Sequence, residues 1–135
     1  MKMPLPSPVR DLIAFLVVAV ACPTSVFGGA NLGCVGHTDF SGSCAATVIF
    51  VSPLVLVLGG LIAGIATRGW TGLLVSLVGM AVGMTAILVL SEMGGNPVPL
   101  DWLSAVVAAG FFGAPTVVGY AAGRGAMRLV AGRAR

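Results

Sequence analysis

Four stretches of this 135-residue chain, at 12–28, 45–67, 70–91 and 102–123, contain no Asp, Glu, Lys, Arg or His. A helix rises about 1.5 Å per residue, so about 20 residues cross the ~30 Å hydrocarbon core of a bilayer. Each stretch approaches or exceeds that length and is apolar on every side, whereas a barrel strand alternates apolar and polar residues over about ten. The expectation is an all-α polytopic membrane protein, a single four-transmembrane-helix bundle. Helix-start signals widen the spans to about 8–28, 45–67, 70–91 and 101–123, with a basic tail at 124–135.

Composition agrees. Apolar residues make up 58% of the chain, Gly adds 20 more, and charged residues only 8%, against about 25% in a soluble domain. Seven Lys/Arg against four Asp/Glu are too small an excess for a nucleic-acid-binding domain.

Local signals mark the ends of the spans. Ser7 before Pro8 reads as an N-cap followed by Pro in the first turn, Ser41 or Ser43 can cap the second helix, and Asp101 can cap the fourth. The hinge Thr67-Arg68-Gly69 is so short that the second and third helices are expected to be antiparallel neighbours.

With four spans, Lys2, Arg10, Arg68, Arg124, Arg128, Arg133 and Arg135 all fall on one side, and the opposite loops hold only Asp39, Glu92, Asp101 and His37. Cations near helix ends stay on the cytoplasmic face. Both termini are therefore expected in the cytoplasm, with the protein multi-pass in the inner (plasma) membrane. A rival reading of the first span is that Val18-Ala19-Val20-Ala21-Cys22 resembles a bacterial lipoprotein signal, with Cys22 as the lipidated residue. Ala19, where such signals usually carry Leu, and Pro23 directly after the Cys both fit it poorly.

Cys34 and Cys44 flank nine residues of the first outer loop and are placed to close a structural disulfide. Closing so small a loop contributes roughly 2 to 3 kcal/mol in the chain-entropy account. Thiol redox catalysis would call for a closely spaced Cys-x-x-Cys pair, which the chain lacks. His37 and Asp39 between those cysteines are too few for a metal site, and no cofactor is expected.

Ion-coupled transporters hold charged residues inside the bilayer because ions and protons need partners there. The spans here hold none. Small multidrug transporters share the helix count and length, but their first helix carries an embedded Glu, and this one offers only Cys22, Thr24 and Ser25 as polar groups.

Small residues carry the positive signal. Gly60 and Gly64, Gly79 and Gly83, and Gly119 and Gly123 each form Gly-xxx-Gly, which puts two glycines on one helix face and lets another backbone come close. These faces serve either internal packing or a partner. Pro23, Pro53 and Pro115 lie in the spans, where nearby Thr24, Ser25, Ser52 and Thr116 are candidates to satisfy the backbone groups they free. Trp70 and Trp102 read as aromatic anchors at opposite interfaces, and Phe111 and Phe112 as facing lipid or a partner. Arg124, Arg128, Arg133 and Arg135 are candidates to meet anionic lipid or a cytoplasmic partner.

No Ser-His-Asp set, paired carboxylates or phosphate-cradling loop is present to carry catalysis. The expected role is a non-enzymatic accessory subunit packing against a larger transport or respiratory complex in the membrane. The alternative is a small homo-oligomeric channel or carrier for an uncharged or lipid-like substrate.

Overall fold

The computed structural model describes residues 6–33, 42–67, 69–94 and 101–133, with side chains over these ranges except at 28–33 and 42–48. The described chain forms four helices, α1 (Ser7–Gly33), α2 (Gly42–Ala66), α3 (Trp70–Met93) and α4 (Trp102–Arg133). All four include a segment long and apolar enough to cross a membrane.

Two helices outrun their expected ends. α1 continues five residues beyond 28, and α4 runs through the basic segment to Arg133. Arg is a good helix former and a cation suits a helix C-terminus, so charge there prolongs α4 instead of ending it. α1 starts at Ser7 itself, because the Pro6 carbonyl accepts from the Val9 and Arg10 amides at 3.1 and 3.2 Å. Pro6 thus takes the cap position expected for Ser7. At α4 the expected cap is present: Asp101 Oδ1 accepts from the Ser104 amide at 2.6 Å, and its carbonyl from that of Ala105 at 3.0 Å.

Around the bundle the helices run α1, α2, α4, α3. Long seams join α1 to α2, α1 to α3 and α2 to α4, while α3 meets α4 only slightly. α2 and α3 also touch little, so the expectation that they are packed neighbours is corrected. The reason lies in the glycine faces. A Cβ on Gly79 would stand 2.6 Å from the Phe15 carbonyl oxygen, and one on Gly83 2.8 Å from that of Ala19, so these faces admit the α1 backbone. Gly60 and Gly64 of α2 lie as closely against Thr116 and Tyr120 of α4. Each face is filled by a helix other than the one across the hinge.

The buried set is small or polar: Ala14, Cys22, Ser25, Ser52, Ala63, Ser76 and Thr116 join the glycines, with Val18, Leu56, Met80 and Tyr120 the larger members. The exposed set includes Leu12, Leu16, Phe50, Leu54, Leu58, Leu74 and Val78. A water-soluble domain buries such residues. In lipid, where tails are as apolar as Leu, close packing of small residues holds helices together and large side chains turn outward.

Candidate functional site: the hinge end and the cleft between α3 and α4

The turn between α2 and α3 is held by side chains from α4. Tyr120 Oη donates to the Gly69 carbonyl at 2.7 Å and lies 2.9 Å from Thr67 Oγ1, which also reaches the Ala63 carbonyl at 2.8 Å. Arg124 Nη1 donates to the Thr67 carbonyl at 3.0 Å. The Thr67 carbonyl, just past the end of α2, lacks an intrahelical donor, so the Arg124 bond satisfies a group that the turn would otherwise orphan. Gly72 makes room for this cluster, since a Cβ there would sit 2.6 Å from Tyr120 Oη and collide with Thr67. Gly69, with φ 89° and ψ −171°, occupies a backbone region nearly reserved for glycine.

Beside this cluster a cleft of about 470 Å³ opens between the start of α3 and the end of α4. Trp70, Leu73, Val117 and Ala121 form its apolar walls, and Arg124 and Arg128 stand at its basic end. It exists because α3 and α4 scarcely touch. On the other side of the start of α3, Ser7, Arg10, Asp11 and Thr71 line a smaller recess of about 180 Å³, where Arg10 Nε is buried with no hydrogen-bond partner among the described residues.

The six candidate glycines all face helices of the same chain: Gly119 meets Val57 and Gly123 meets Leu61, completing the contacts given above. Arg124 is half-buried, whereas Arg128 and Arg133 are exposed on the last turns of α4. Arg135, Lys2, Arg68, Cys34, His37 and Asp39 lie outside the described residues, as does the side chain of Cys44, and with them the expected disulfide. Cys22 is a free thiol buried in α1, its Cβ pressed toward Gly83. Among the described residues no three His, Cys, Asp or Glu come together.

The hydroxyls near the prolines do not relieve the carbonyls those prolines free, which lie four residues back. Ser25 donates to the Cys22 carbonyl at 2.7 Å and Thr116 to that of Phe112 at 2.9 Å. Ser52 Oγ is buried with no partner among the described residues, and Thr24 is exposed. Phe112 packs against the core, correcting its outward placement, and its ring meets that of Phe111 edge-on at 5.3 Å.

The chain matches no protein-family model, no curated protein and no solved structure. Sequence reasoning passed over Tyr120 and took Thr67 only as part of the hinge. The available signal was that the chain's single Tyr sits in a span, where a buried phenol needs a hydrogen-bond partner.

Proposed function

We propose that the protein is a non-enzymatic integral membrane subunit that packs against a larger transport or respiratory complex and stabilises or regulates it. In this reading it lies in the inner (plasma) membrane with both termini cytoplasmic. The described cations support that orientation by clustering at the hinge end: Arg10 lies beside Thr71, and Arg124 bonds the turn.

The observation that carries the proposal is the half of α4 remote from the hinge. From Trp102 to Val107 every residue is exposed, with Leu103, Val106 and Val107 more than half so, and a Cβ on Gly110 would meet no described residue within 4 Å. Ala105, Ala109 and Gly113 follow at four-residue spacing, a face able to take another helix closely. Ala105 and Ala109 are left open by the chain's own helices. The partner that fits is a transmembrane helix of a larger membrane protein.

Purification of the tagged chain from its native membrane in mild detergent tests this. An unrelated larger polypeptide in fixed ratio is expected, released by Ala105→Leu or Ala109→Leu without loss of the bundle. Recovery of this chain alone overturns the proposal. If the isolated chain then moves a solute in reconstituted vesicles, the channel or carrier reading takes its place, with the lateral opening between α3 and α4 as its route. Lipidation at Cys22 is disfavoured because cleavage there would remove Ala14 and Val18, two of the most deeply buried residues.

A further inference from the structure

We infer that the cleft between α3 and α4 holds one acidic glycerophospholipid, its phosphate at Arg124 and Arg128 and an acyl chain along Leu73 and Val117. The inference stands apart from the accessory-subunit reading. At about 470 Å³ the cleft has the size of a small-molecule site. Its chemistry is divided: apolar walls from Trp70, Leu73, Val117 and Ala121, Arg124 and Arg128 at one end, and no carboxylate among the described residues of its lining. The ligand that matches is a long apolar body with an anionic head.

The geometry favours a lipid over a dissolved anion. The slight contact between α3 and α4 leaves the cleft open sideways to the bilayer, so a chain can slide in from the leaflet. A free anion would have to leave water for an apolar slot. Basic pockets between transmembrane helices are a recurrent form of acidic-headgroup site. Arg124 is pre-positioned, because its bond to the Thr67 carbonyl holds the guanidinium at the mouth while the rest of its fork bonds nothing among the described residues. Arg128 follows one turn later and is exposed, so the two cations can share one phosphate. Trp70, 81% exposed, stands at the same rim, where an indole suits the headgroup level.

The test uses the full chain in phosphatidylcholine vesicles carrying a trace of chain-spin-labelled phosphatidylglycerol or, separately, chain-spin-labelled phosphatidylcholine. The motionally restricted fraction is read by electron paramagnetic resonance. Preference for the acidic probe is expected, falling about five-fold in Arg128→Gln, the worth of one interfacial cation. Arg133→Gln, beyond the cleft, should leave the preference unchanged. Ala121→Trp, at an exposed position on the cleft wall, should abolish the restricted acidic component while the melting curve stays that of the parent. Equal restriction of both probes overturns the inference, as does an equal loss in Arg133→Gln and Arg128→Gln, which marks diffuse surface charge. Displacement of the labelled lipid by millimolar inorganic phosphate, with ionic strength held by chloride, also overturns it and marks a site for a soluble anion.

Discussion

The hydroxyl of Tyr120, on α4, donates to the carbonyl oxygen of Gly69 at 2.7 Å, so the last helix clasps the turn between the two before it. Tyr120 and Thr67 have one hydroxyl proton each, yet three short contacts join them to each other and to the Gly69 and Ala63 carbonyls. At most two can be made at once. With Tyr120 donating to Gly69, the Thr67 proton serves either the Ala63 carbonyl or Tyr120 Oη.

Tyr120→Phe removes a hydroxyl while preserving the ring, and should cost about 0.5 to 1.5 kcal/mol. Thr67→Val should cost a similar amount. Because the two share a contact, the double variant should lose less than the sum of the singles. Reversible unfolding in mixed micelles measures all three.

Gly69→Ala should destabilise although a Cβ there would meet nothing within 4 Å. The backbone conformation at φ 89° is the obstacle, at about 1 to 3 kcal/mol. Gly125, on α4, has equally open space and ordinary helical geometry. Gly125→Ala should stabilise the helix by up to about 1 kcal/mol. The same unfolding assay, applied to both, separates backbone strain from lack of room.

Gly119→Ala should open the seam between α2 and α4, because its Cβ would overlap the Val57 backbone, which has no rotamer to turn aside. A loss of about 1 to 3 kcal/mol is expected from such overpacking. Gly110→Ala is the matched control and, like Gly125→Ala, should leave the isolated bundle at least as stable as before. Faster proteolysis of Gly119→Ala in detergent would register the opened seam.

Asp101 is exposed, and hydrogen bonds from the Ser104 side chain and amide hold its carboxyl below the ordinary carboxylate value. A depressed folded-state value stabilises the first turn of α4 above the unfolded pKa of about 3.9, and that contribution fades as pH falls through the folded value. The protection factor of the Ser104 amide, its exchange rate by NMR set against the intrinsic rate at each pH, should fall on acidification into that range. Asp101→Asn, which can still cap, should flatten the dependence.

The sequence announced the helices but not their neighbours. Span number and approximate position follow from uncharged length alone, and Asp101 declared its cap by type and place. Which helices pack depends on which glycine face meets which backbone, and Gly60, Gly79 and Gly119 each advertise only that some backbone comes near. The short hinge pointed to α2 beside α3, a local inference that the long seams with α1 and α4 override. Phe112 was illegible for a related reason: on a helix apolar all round, hydropathy does not say which side faces in.

A chain threaded into the bilayer from its N-terminus delivers α2 and α3 together as a hairpin with little to hold it shut. The glycine groove of α2, at Gly60 and Gly64, waits for α4, two spans later in the chain. A chain cut before α4 would therefore display an empty helix-sized groove, which the longer chain fills with its own helix.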